Sequence, residues 1–132
     1  QRTWIEDYKS PEAQGQEFYY VIERKDGTRC GLVRLYDIEA ESFTWGSWIL
    51  DEKKPRKAAL ESAVLIYTIG FDGLACDRAV FDMRNDNIHT LAFHRRFGAH
   101  EVAWDELNVY FNYEQSQFVA DQTHYLKKLS EN

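Results

Sequence analysis

"SFTWGSWILDEKKPRKAALESAVLIYTIGF", residues 42–71, changes its period halfway along. Its first part, SFTWGSWIL (42–50), is rich in aromatic and β-branched residues and reads as a strand. From Pro55 to about Leu74 the apolar residues Leu60, Val64, Tyr67 and Phe71, with Thr68, return at helical spacing. Pro55 suits the first turn of that helix, where a missing N–H costs nothing. A strand that feeds a helix N-terminus leaves unpaired N–H groups pointing outward, ready to hold phosphate. Four basic residues, Lys53, Lys54, Arg56 and Lys57, sit at this junction. Cations are unfavourable at the positive end of a helix, so the cluster suits an anionic ligand better than a plain solvated turn.

Working outward, EFYYVIER (17–24) and RCGLVRLYDIE (29–39) are strand-like, and Asp26-Gly27 between them signals a hairpin turn. DRAVFDMR (77–84) reads as a strand. NDNIHTLAFHRRFGA (85–99) reads as a helix closed by Gly98 in a left-handed cap, with Arg95 and Arg96 suiting its negative end. The next stretch, AHEVAWDELNVYFNYE, gives two strands around a turn near Asp105. The tail, QSQFVADQTHYLKKLSEN, is helical, with Phe118, Val119, Tyr125, Leu126 and Leu129 on one side. Residues 1–16 read as a helix tail and loop. The order β-β-β-α-β-α-β-β with a final helix is that of a single α+β domain spanning 1–132.

Composition narrows the function. Sixteen Lys and Arg against 22 Asp and Glu give a net charge of −6, which argues against nucleic-acid binding. No apolar run approaches the roughly 18 residues a membrane span needs, and no signal-peptide core opens the chain. A cytoplasmic location is the expectation. Cys30 and Cys76 lack metal or redox spacing, and two free buried thiols are expected in place of a disulfide. No His/Cys/Asp grouping reads as a metal site.

Three stretches in this order, WILDEKKPRKAALES, FDMRNDN and NIHTLAFHRRFGA, resemble the GNAT superfamily of acyl-CoA-dependent N-acetyltransferases, in particular its ribosomal-protein and small-amine branch. The resemblance runs from about Glu17 to Tyr113. It implies a mixed, mostly antiparallel sheet flanked by helices, here lacking the usual N-terminal strand and helices, so that the domain is N-terminally incomplete. It implies that pantetheine lies along Trp48, Ile49 and Leu50, and that pyrophosphate sits on the helix start at Lys54, Arg56, Lys57, Ala58 and Ala59. The family's central glycine is Lys57 in this sequence. Since the donors are main-chain N–H groups, that replacement need not remove them, and the added cations favour phosphate.

By the same resemblance Asn87 bonds the cofactor arm. His94 takes the place of a tyrosine that protonates the departing thiolate, a role open to histidine near neutral pH; a polar residue bordering the helix's apolar face is the plainer alternative. Asp82 occupies a position where some members carry a general base, and it lies on the strand face opposite Phe81 and Met83. An ordinary carboxylate, or one in a salt bridge with Arg84, is the plainer reading there. Trp45 and Trp48 are three apart, hence on opposite faces of a regular strand, and His89 and His124 read as exposed. The function implied is acetyl transfer from acetyl-CoA, the cosubstrate, directly to a primary amine on a small molecule, amino sugar or protein N-terminus. A GNAT-fold module that binds CoA or a partner without catalysis is the alternative. No nucleic-acid or membrane partner is expected, and a homodimer is left open.

Overall fold

The computed structural model describes residues 3–9, 17–50 and 57–130. The elements run β1 (Thr3–Lys9), β2 (Phe18–Arg24), β3 (Arg29–Tyr36), β4 (Ser42–Leu50), α1 (Ala58–Thr68), β5 (Arg78–Arg84), α2 (Ile88–Phe97), β6 (His100–Trp104), β7 (Asn108–Glu114) and α3 (Gln115–Ser130). A π-helical turn, Ile69–Gly73, finishes α1. All seven strands form one sheet in the order β1-β2-β3-β4-β5-β7-β6. Among the described residues only β4 and β5 run parallel, as two strands joined by a crossover helix must.

The expected α+β architecture is present, with one correction at its start. Residues 3–9, read as part of a helix tail, form β1, antiparallel to β2 from Thr3↔Arg24 to Lys9↔Phe18. The expectation that no strand precedes β2 is corrected with it. Seven residues nucleate a helix poorly, whereas the open edge of β2 offers every backbone group a partner. β3 is also shorter than expected, because Asp37 adopts a left-handed conformation, φ 48°, that ends the strand.

All three helices pack on one face of the sheet. Tyr67 of α1, fully buried, meets Phe43 and Trp45 of β4 and stacks on Phe71 at 5.6 Å. α1 comes this close because residue 70 is glycine: a β-carbon there would lie 2.1 Å from the Phe43 ring. α2 contributes Leu91, His94 and Phe97, and ends at Gly98, whose φ of 115° closes the expected cap. α3 buries Phe118 and Tyr125, but Val119 and Leu126, expected on the same side, stay exposed. They fall off the narrow stripe by which a terminal helix touches its neighbours. Cys30 and Cys76 are both buried and form no disulfide. Among the described residues no helix is long and apolar enough to cross a membrane.

Candidate active site

The site begins with an extra residue. Between Leu32↔Ile49 and Arg34↔Gly46, β3 advances two residues while β4 advances three. This β-bulge bends β4 and sharpens its twist. On its other side β4 pairs with β5 only at Ser42↔Arg78 and Phe43↔Ala79. Beyond Phe43 the two parallel strands part, and a cleft of about 280 Å³ opens between them.

Three elements line the cleft. β4 supplies Trp45, Gly46, Trp48 and Ile49; β5 supplies Phe81, Asp82 and Met83; α2 supplies Asn87, Thr90 and His94. The bulge also corrects the expected geometry of the two tryptophans. Its added residue reverses the alternation of side chains, so Trp45 and Trp48 share a face with ring centroids 5.0 Å apart.

His94 sits at the centre of the buried face of α2, not at its border, and is 2% exposed. Aromatic rings surround it: Phe81 at 4.6 Å, Trp45 at 5.3 Å, and Trp48 and Phe111 each at 5.6 Å. Burial in this apolar box disfavours the imidazolium and pushes the His94 pKa down from 6.5 to about 3. The imidazole is therefore neutral at physiological pH. The role expected of His94, protonating the thiolate near neutral pH, therefore meets an imidazole that is already neutral there.

Asp82 is exposed and lies on the face opposite Phe81, as its position in the strand requires. It reaches the cleft from the sheet face that carries Tyr36, Gly46 and Tyr110. Asp82 is the register partner of Tyr110. A β-carbon at Gly46 would sit 3.2 Å from the Tyr36 hydroxyl, so Tyr36 overhangs the strand there. Burial, and then the charge of Asp82, raise the Tyr36 pKa. The Arg34 guanidinium lies 4.0 Å over the Tyr36 ring and pairs with Glu17. None of Tyr36, Arg34 or Tyr110 was anticipated; the alternation of β3 and β7 could have placed them on this face, but not beside the cleft.

The proposed cofactor residues divide. Trp48, Ile49 and Asn87 line the cleft, whereas Leu50 packs against the core. Asn87 is the N-cap of α2 yet makes no side-chain capping bond, unusual for a residue so suited to capping. Ala58 and Ala59 open α1, and Ala58 is buried. The Lys57 ammonium donates a 2.5 Å hydrogen bond to the Lys128 carbonyl in the last turn of α3. Lys54 and Arg56 lie outside the described residues. Among those described, no cluster of His, Cys, Asp and Glu is arranged to hold a metal ion.

The sequence matches the acetyltransferase (GNAT) domain model over residues 1–100. No curated protein matches it. Among solved structures, apo FdhC, a nucleotide-linked sugar GNAT, has a TM-score of 0.81 and 37% identity, over 85% of this chain and 65% of its own. This chain thus spans about two thirds of the length of FdhC. Campylobacter jejuni PseH, an N-acetyltransferase solved with acetyl coenzyme A, gives a TM-score of 0.69 at 13% identity, over 77% of this chain and 70% of its own. A variant of the Vibrio cholerae spermidine N-acetyltransferase SpeG gives 0.73 at 16%, over 83% and 70%. At these last two identities the likeness is one of fold. A family match over most of the chain, on a sheet that splits between the parallel strands β4 and β5, identifies the chain as a member of the GNAT acetyltransferase family.

Proposed function

We propose that the cleft between β4 and β5 binds acetyl-CoA and transfers its acetyl group to a primary amine. The observation that carries this reading is the split itself. Past Phe43 the β5-facing edge of β4 has no ladder partner among the described residues, so its N–H and C=O groups can pair with an extended, amide-bearing ligand as a further strand would. Trp48 and Ile49 then flank the cofactor arm, and the Asn87 amide, not engaged in capping, bonds it. The pyrophosphate meets the start of α1 at Lys57, Ala58 and Ala59, with Lys54 and Arg56 adding charge.

The amine approaches from the face of Tyr36 and Asp82. Asp82 accepts one proton from the ammonium form, leaving a neutral nucleophile. The nitrogen lone pair attacks the thioester carbon and the C=O electrons move onto oxygen. As the C–S bond breaks, a proton from the nitrogen passes to the thiolate, giving an amide and free CoA thiol. This route needs no charged histidine. The likeness to FdhC at 37% identity favours an amino sugar as acceptor, including a nucleotide-linked one. One observation, the loss of His94 as a charged acid, favours the second reading: a cofactor-binding module without catalysis.

Thiol release from acetyl-CoA by the full chain, measured against nucleotide-linked amino sugars, free amino sugars, polyamines and peptides, separates the two. Amine-dependent release, largest with an amino sugar, is expected. Saturable acetyl-CoA binding with no release for any amine would leave the binding module.

A further inference from the structure

One row of residues crosses the sheet at the level where it splits. Register carries it from Tyr19 to Arg34 to Gly46 on one side of the cleft, and from Asp82 to Tyr110 on the other. Gly46 and Asp82 each lie three residues past the last paired positions, Phe43 and Ala79, so they stand level across the gap, and both line it. The row belongs to the sheet face away from the helices, since the alternate residues Val33, Leu35, Phe81 and Phe111 are buried on the other side. Glycine interrupts the row, and Tyr36 covers the interruption. Its hydroxyl would lie 3.2 Å from a β-carbon at Gly46.

The Tyr36 ring is held in that place. The Arg34 guanidinium lies 4.0 Å over it and 5.7 Å over the ring of Tyr19, and is itself tied to Glu17. Yet among the described residues the Tyr36 hydroxyl has no hydrogen-bond partner, and Asp82 has neither a hydrogen bond nor an ion pair. Their neighbours are engaged: Tyr110 donates to Asp105 at 2.9 Å, and Arg84 pairs with Asp86 at 3.7 Å, not with Asp82. Both unengaged groups can be reached, for Asp82 is exposed and Tyr36 half-buried. Burial, and then the charge of Asp82, keep the phenol protonated and so able to donate.

We propose that Tyr36 is a specificity residue for the acceptor: its hydroxyl donates to an oxygen of the molecule whose amine Asp82 takes across the cleft. The inference rests on the reading of the cleft as an acyl-CoA site, and it selects among amines the amino sugars, which carry oxygens beside the nitrogen. Arg34 is a positioning residue that sets where the hydroxyl points. A donor that must be matched discriminates more sharply than an apolar wall, because an acceptor lacking the oxygen leaves it unpaired. A plain cyclic amine satisfies Asp82 alone.

The test measures thiol release from acetyl-CoA by the full chain with two acceptors. One is the amino sugar that releases most thiol; the other is cyclohexylamine, a ring without oxygen. The wild type should prefer the amino sugar by at least about tenfold in kcat/KM. Tyr36→Phe should lower that preference by about tenfold, chiefly by raising KM for the sugar. Arg34→Gln should lower it by about threefold, and should lower it no further when Tyr36→Phe is already present. Asp82→Asn should slow both acceptors and keep the preference. A wild type without preference, a preference that survives Tyr36→Phe, or a Tyr36→Phe protein that loses both acceptors equally overturns the specificity role alone. No release with any amine overturns the underlying reading and this role with it.

Discussion

The aromatic core behind α1 and the cleft between β4 and β5 are built from the same kinds of side chain, and they treat polar atoms in opposite ways. In the core the hydroxyls of Tyr67, Tyr113 and Tyr125 are all matched. Tyr67 accepts from Trp45, Tyr113 and Tyr125 share a hydrogen bond of 2.9 Å, and Tyr125 also donates to the Phe97 carbonyl. Burial raises the pKa of all three phenols, that of Tyr125 to about 12, so none ionises at working pH. A few ångströms away, the partly buried Trp48 and the buried His94 each leave a buried nitrogen unmatched. Aromatic richness does not separate core from site in this molecule; the pairing of polar atoms does.

Substitutions can test that contrast. The largest effect belongs to the core: Tyr67→Ala should cost about 3–5 kcal/mol in urea unfolding, as for other large aromatic truncations. Tyr67 is fully buried and stands at the centre of the ring cluster.

The next effect belongs to His94 and is read by pH. Its pKa falls from 6.5 unfolded to about 3 folded. Between those values the unfolded chain binds the extra proton, so stability rises with pH. The contribution is complete above pH 6.5 and is lost as the pH falls toward 3, amounting to a few kcal/mol. His94→Phe should flatten that limb of the stability profile, and an unchanged limb would mean that the imidazole is not held neutral.

The smallest effects give the sharpest comparison. Trp45→Phe strands the Tyr67 hydroxyl and should cost about 1–3 kcal/mol. Trp48→Phe removes an unmatched donor and should change stability by no more than about 0.5 kcal/mol. Equal losses at the two positions would dissolve the distinction between core and cleft.

Much of this arrangement was legible in the residues. β4 has the bounds its aromatic and β-branched run suggests, and Gly98 caps α2 where a left-handed residue is needed. These are local signals, carried by spacing and turn chemistry. The relation of Trp45 to Trp48 was not legible, because one bulged residue reverses the alternation on which a strand is read. Gly46-Ser47 inside the strand was the available hint, since glycine there often marks a bulge. The state of His94 was hidden for a different reason. A histidine flanked by Phe93 and Arg95 gives no sign that rings from β4, β5 and β7 will close around it, and only the tertiary fold sets its charge. β1 was missed because its pairing depends on the edge of β2, not on a period of its own.

Every functional role above requires that an acyl-CoA bind in the cleft between β4 and β5. Calorimetric titration of the full chain with acetyl-CoA, repeated with Thr90→Trp, whose bulk would fill the cleft from α2, tests this directly. One-to-one saturable heat for the wild type, abolished by Thr90→Trp at unchanged melting temperature, is the predicted result. No heat for the wild type, or the same binding in both proteins, would contradict it.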